Sequence, residues 1–228
     1  MSNVHQFLFG VYPYIALAIF LLGSLIRFDR EQYTWKSDSS QLLRRGQLRL
    51  GSNLFHIGIL ALFAGHFVGL LTPKELYHAL GLSTEAKQMV AIVAGGVFGG
   101  MCLVGLLLLV HRRLTEPRIR VTSTRMDIFI LLWILATLLL GLASIVVSLG
   151  HRDGGVMVLL GQWAQHIVTF RAGAADFIAD VHWIYKLHLM LGMTLFVLFP
   201  FSRLVHIWSG FGAVSYLTRA YQIVRTRG

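Results

Sequence analysis

Four of the ten histidines in this chain stand where an imidazole is costly. His56 and His66 lie in the apolar stretch SNLFHIGILALFAGHFVGLLTP, and His188 and His206 lie in LHLMLGMTLFVLFPFSRLVHIWS. A half-polar ring inside such a segment needs a partner, and a ligand or ion site is the ordinary reason for keeping one there. A hydrogen bond to a neighbouring helix readily explains one such ring. Two on each of two segments point to ligation. His5, His78, His111, His151, His166 and His182 fall at segment ends or in polar stretches and are assigned no role.

The spacing refines that reading. His188 and His206 are eighteen residues apart, which in one α-helix is five full turns, so both rings share a line down the helix about 27 Å apart. The ten residues between His56 and His66 amount to about 15 Å, with directions that differ by roughly 80°. If the two helices face each other and run in opposite senses, His56 pairs with His206 and His66 with His188. The unequal rises require tilt and a kink at Pro200.

Two stacked imidazole pairs suit two haem b groups, since a porphyrin fills the gap between helices and its iron takes one imidazole from each side. Zinc would want four converging ligands, and neither segment carries an interior Asp or Glu to complete such a site. The single cysteine, Cys102, excludes both a Cys-x-x-Cys-His attachment and a cysteine-held iron–sulfur cluster. Gly192, between His188 and His206, leaves room for a flat ring. Arg203, one turn before His206, is placed to pair with a haem propionate. A proton or metal transporter built on intramembrane histidines is the competing class. It predicts a protein without Soret absorption, and no inverted repeat of the transporter kind is visible.

The elements that must hold these rings follow from composition. With 56% hydrophobic and only 13% charged residues and a mean hydropathy of +0.68, much of the chain has lipid for its solvent. Five stretches are long enough to cross a hydrocarbon core of about 30 Å. They run over about 6–26, 52–71, 88–110, 127–149 and 184–208. The expected fold is therefore an all-α, five-helix transmembrane bundle, a single domain over 1–228 with a tail at about 209–228. Gly65 with Gly69, and Gly95, Gly96, Gly99 and Gly100, form small-xxx-small pairs that favour close helix packing.

The net charge of +10 does not indicate nucleic acid, because Lys and Arg flank the apolar runs. Arg27, Arg30, Lys36, Arg44, Arg45, Arg49, Arg112, Arg113, Arg118, Arg120, Arg125, Arg219, Arg225 and Arg227 fall on one side, with Lys74, Lys87, Arg152, Arg171 and Lys186 on the other. By the positive-inside rule the C-terminus is cytoplasmic and the N-terminus outside. The N-terminal apolar stretch lacks a basic n-region and a small-residue cleavage site, and reads as a retained first helix. Tyr12, Tyr14, Trp35, Trp183, Tyr185 and Trp208 fall near helix ends, where amphipathic rings favour the headgroup region. The moderately apolar 150–183 segment is expected to form a short helix on the outer surface.

The two histidine-bearing segments, together with VYPYIALAIFLLGSLIRFDREQYTW and YLTRAYQIVR, resemble the gamma, or cytochrome b, subunit of membrane-bound respiratory nitrate reductases along the whole chain. The resemblance implies axial ligands at His56 and His206 for a cytoplasmic haem and at His66 and His188 for an outer haem. It implies that quinol is oxidised near the outer haem, with Gly65 and Gly69 nearby. Lys87, in STEAKQM, matches the lysine that contacts the quinol, with a slightly longer approach. Electrons would pass inward to an iron–sulfur beta subunit and then to a molybdenum-containing alpha subunit that reduces nitrate, in the bacterial inner membrane. Nitrate respiration and assimilation are the processes implied. The cytochrome b subunit of a formate dehydrogenase or hydrogenase is a related alternative.

Overall fold

The computed structural model describes residues 2–31, 45–150 and 153–208. The expected tail at 209–228, Trp35 and His151 lie outside them. The described residues form helices without a strand: α1 (Asn3–Glu31), α2 (Arg45–Leu71), α3 (Lys74–Ala79), α4 (Thr84–Thr115), α5 (Pro117–Thr122), α6 (Arg125–Leu149), α7 (Gly155–Val168) and α8 (Trp183–Leu198). Five segments are long and apolar enough to span a membrane: α1, Gly46–Leu71, α4, α6 and Trp183–Phe201.

Helix starts follow local chemistry. Ser83 accepts a hydrogen bond from the Ala86 N–H to cap α4. Thr124 and Asp127 close a reciprocal capping box on α6, in which Thr124 N donates to Asp127 Oδ2 at 3.0 Å and Asp127 N donates to Thr124 Oγ1 at 3.2 Å. His182 caps α8 by accepting from Ile184 N.

The long helices pack in the order α1, α8, α6, α4, α2. The closest approach is α2 on α4, set by glycines other than those expected. A Cβ on Gly58 would lie 2.7 Å from the Cys102 backbone nitrogen, and one on Gly105 would collide with the backbone of Phe55, Gly51 and Leu54. Gly65, Gly69, Gly96 and Gly100 have no neighbouring atom within 4 Å of a Cβ position, so they do not make the packing contact, while Gly95 and Gly99 meet Ile145 and Leu142 of α6. Gly105→Ala is therefore expected to force α2 from α4 at a cost of about 1–3 kcal/mol, read as a lower unfolding temperature in detergent. Gly96→Ala, whose added methyl meets nothing within 4 Å, is expected not to lower that temperature.

The last spanning segment departs from a continuous helix over 184–208. α8 ends at Leu198, a 3-10 turn holds Pro200, Ser202 is extended (φ −122°, ψ 177°), and a second 3-10 turn covers Arg203–Val205. A helix end leaves carbonyls without intrahelical donors. Arg27 of α1 satisfies two carbonyls just beyond that end, donating from Nη1 to Pro200 O at 2.7 Å and to Ser202 O at 2.9 Å. Pro200 packs so closely on α1 that a Cβ on Gly23 would lie 2.8 Å from its Cγ.

The 150–183 segment is more than a surface helix. Trp163 and Ile167 of α7 and Ala174, Ala175 and Ile178 of a 3-10 turn are buried with Phe9 and Tyr185 in one cluster. Trp163 Nε1 donates to Phe9 O at 2.9 Å, and Gln165 Nε2 donates to Leu70 O at 3.0 Å. The segment thus caps one end of the bundle and ties α1 to α2. Arg27, Arg112, Arg113 and Arg203 gather at the opposite end, where Gln47 meets His111 and Arg113 meets Asp127.

Candidate functional site

α2 and the last spanning segment make little backbone contact, yet His66 of α2 faces His188 of α8, and His56 of α2 faces His206, which follows the 3-10 turn Arg203–Val205. The His56 and His206 ring centroids are 6.3 Å apart at the arginine-rich end, and those of His66 and His188 are 6.1 Å apart at the capped end. The pairing is the one expected, although the reasoning that put His188 and His206 on one helical line does not hold. The chain leaves α8 at Leu198, so the straight rise of eighteen helical residues does not apply, and the unequal spacings cease to conflict.

Each ring is oriented through Nδ1. His56 donates to Ser52 O at 2.7 Å, His66 to Leu62 O at 2.7 Å, His188 to Thr137 O at 3.0 Å and His206 to Arg203 O at 2.6 Å. A carbonyl only accepts, so the proton of each neutral imidazole sits on Nδ1 and the lone pair on Nε2. A hydrogen bond at the far nitrogen is how proteins orient metal-bound histidines and make them stronger donors.

The separations test which group fits. Two metal–imidazole bonds of about 2.0 Å, plus about 1 Å from each nitrogen to its ring centre, put centroids roughly 6 Å apart. Both pairs meet that figure. Each supplies two nitrogen donors, the number a porphyrin-bound iron leaves open. Among the described residues no three of His, Cys, Asp or Glu converge as a bare ion would require. Gly65, Gly69 and Gly192 have nothing within 4 Å of a Cβ position, so the space at those positions is open.

At the capped end His66 and His188 open on a cavity of about 280 Å³, lined also by Gly65, Gly69, Gln88, Ser148 and Tyr185. Its wall is chiefly apolar, with polar groups concentrated in one strip. Tyr185 and Ser148 share a hydroxyl–hydroxyl hydrogen bond of 2.7 Å, and Gln88 Nε2 donates to Ser148 O at 3.2 Å. Tyr185 was expected at the headgroups, but it is buried at 9% exposure. Lys87, one residue before Gln88, sends its ammonium to Thr72 O at 3.5 Å and over the Tyr77 ring at 4.0 Å. It thus bridges α4 to the chain just beyond Gly69.

Arg203 has a partner that the sequence did not suggest. Its Nε donates to Asp127 Oδ1 at 2.7 Å, and Arg113 approaches Asp127 Oδ2 at 3.6 Å. Nothing in the sequence marks Thr137, Gly141, Ser148 or Gln88, because an apolar helix carries no signal that says which of its faces meets an imidazole. The capping box at Thr124 and Asp127 was the one legible clue to that corner. His5, His78, His111, His166 and His182 make local contacts with Ala175 O, Thr84, Gln47, Gln162 O and Ile184 N.

A bundle with five helices apt for spanning lipid, two of them facing each other through paired histidines, defines a membrane-embedded helical protein. The chain belongs to the nitrate reductase gamma subunit family, whose model matches residues 5–227. It is 53% identical to the respiratory nitrate reductase 1 gamma chain of Escherichia coli and 49% identical to the respiratory nitrate reductase 2 gamma chain, covering 100% of this chain and 100% and 99% of theirs. It is 38% identical to the nitrate reductase gamma chain of Bacillus subtilis over 97% of this chain and 98% of that one. Membership makes it one subunit of a multi-subunit respiratory redox enzyme. The respiratory character of these relatives speaks against the assimilatory role that was also expected.

Proposed function

We propose that the chain is the membrane anchor and electron-transfer subunit of a respiratory nitrate reductase, taking electrons from quinol at the capped end and passing them to partner subunits at the arginine-rich end. The observation that carries this reading is the pair of facing imidazole pairs, each with Nδ1 bonded to a carbonyl. His66 with His188, and His56 with His206, would hold haem b, which supplies a one-electron carrier at each level. His56 and His66 share α2 and are ten residues apart, so the two levels are separated by about 15 Å along the helix.

A haem held by His66 and His188 would fill the part of the cavity between the two rings, so quinol is assigned to its margin near Gly65 and Gly69. There an apolar wall accepts a flat ring, and a few polar groups fix orientation. Lys87 is placed to hydrogen-bond a quinol oxygen and favour departure of its proton. The long stem lets its ammonium exchange the Thr72 carbonyl and the Tyr77 face for the substrate. The charge asymmetry puts the arginine-rich end in the cytoplasm and both N-terminus and cap outside. Oxidation there releases protons outside while electrons move inward, which separates charge across the bacterial inner membrane. The iron–sulfur and molybdenum partners would dock on the cytoplasmic side, and Arg203, which gives its Nε to Asp127, would be the residue to pair with a haem propionate.

The test is the haem content and the reduced-minus-oxidised spectrum of the purified complex. Two haems b per chain are expected, and a folded chain without haem would overturn the reading. Lys87→Met is expected to lower kcat/KM for quinol by roughly 10- to 100-fold, the loss of one hydrogen bond to a charged group, with haem content unchanged.

A further inference from the structure

We propose that Gly141 is a positioning residue for His188, and that through it α6 sets the redox potential at the capped end; the inference rests on reading His66 and His188 as axial ligands. Three of the four imidazoles are held by their own stretch of chain, donating to a carbonyl three or four residues back. The Nδ1 of His188 is held instead from another helix, by Thr137 O on α6. In a regular helix that carbonyl also accepts from the N–H four residues on, which is that of Gly141.

The ring therefore reaches its acceptor by lying against Gly141. A Cβ there would stand 2.9 Å from His188 Cε1 and 3.5 Å from both ring nitrogens. A methyl group would displace the ring by several tenths of an ångström. His66 faces it at 6.1 Å between ring centres, so the ring yields by loosening its bond to Thr137. The acceptor itself is fixed: Thr137 is 9% exposed, its hydroxyl donates to Trp133 O at 2.9 Å, and Trp133 Nε1 donates to Leu191 O of α8 at 3.1 Å. A hydrogen bond at Nδ1 strengthens the imidazole as a donor and favours the more highly charged state of a bound iron. Weakening it raises the midpoint potential at that level only.

The experiment is a redox titration of the haem absorbance in the whole complex, comparing the unaltered protein with Gly141→Ala and with Gly99→Ala. The latter crowds Leu142, the next residue of α6, at 2.7 Å without touching an imidazole. In Gly141→Ala, the component that His66→Ala removes is expected to rise by about 59 mV, the equivalent of a tenfold change for one electron, while the other component stays in place. Gly99→Ala is expected to move neither. Unchanged potentials in Gly141→Ala, or equal shifts in both variants, would overturn the proposal. Should Gly141→Ala fail to assemble, His188→Gly supplied with imidazole or with 1-methylimidazole decides the matter. Imidazole, which keeps an N–H for Thr137 O, is expected to restore the native potential, and the methylated base, which has none, to give a higher one. Equal potentials with the two bases overturn the proposal. An unaltered complex without haem removes the axial-ligand reading itself, a different result from two haems that ignore Gly141.

Discussion

His66→Ala is expected to leave the complex with one haem b, one fewer than the two proposed for the unaltered protein, and to abolish quinol-driven nitrate reduction. Reduction by a soluble donor that reaches the partner subunits directly is expected to persist. The ring is held by Leu62 O and faces His188 across 6.1 Å, so its removal leaves one nitrogen donor where two are needed. Loss of an outer-shell partner alone typically costs 10- to 100-fold in metal affinity, and loss of the ligand itself is expected to exceed about 100-fold. His206→Ala is expected to remove the other haem and to spare the first, since His56 and His206 meet 6.3 Å apart at the far end of α2. The two ligands of one level act as a unit, so His66→Ala combined with His188→Ala is expected to be no worse than either alone. Haem stoichiometry and the difference spectrum of each variant decide the matter, and a His66→Ala complex that keeps both haems refutes the assignment.

The five spans were legible because lipid leaves so little choice: an apolar run of sufficient length must be helical. Their ends were less so. α1 reaches from Asn3 to Glu31 because backbone hydrogen bonding continues past the residues that hydropathy marks. The close of α8 at Leu198 followed from Pro200 only in part. The sequence shows that a proline cannot donate, but not that Arg27 of another helix would satisfy the broken end. The histidine pairing survived because it depends on which ends of α2 and α8 are adjacent rather than on a continuous helical line. Packing glycines were misjudged for a similar reason. The small-xxx-small pattern marks helices able to approach closely, but which glycine faces backbone depends on the neighbour, and on α2 these proved to be Gly51 and Gly58 rather than Gly65 and Gly69.

Asp127→Ala is expected to destabilise the arginine-rich end by about 3–5 kcal/mol, the usual cost of leaving a buried cation without its partner. The carboxylate is 11% exposed and meets Arg203, itself 22% exposed, at 2.7 Å and Arg113, 12% exposed, at 3.6 Å. The same side chain, at the third position of α6, accepts from Thr124 N to complete the capping box, a hydrogen bond that contributes about 0.5–1.5 kcal/mol. Asp127→Asn retains an oxygen for that bond, so it is expected to lose less stability than Asp127→Ala by about that amount. The damage has a direction. Arg203 holds the Nδ1 proton of His206 through its backbone carbonyl at 2.6 Å, and among the described residues its side chain is held by Asp127. Releasing that anchor frees the short 3-10 turn Arg203–Val205, and with it the orientation of His206. Both variants are therefore expected to lose haem from the His56–His206 level before the His66–His188 level during heating in detergent, in the order Asp127→Ala, then Asp127→Asn. With the spectrum of each level taken from His66→Ala and His206→Ala, each expected to keep one haem, the order of loss is to be read from absorbance. Simultaneous loss from both levels would mean that Asp127 serves the bundle as a whole and not the ring beside it.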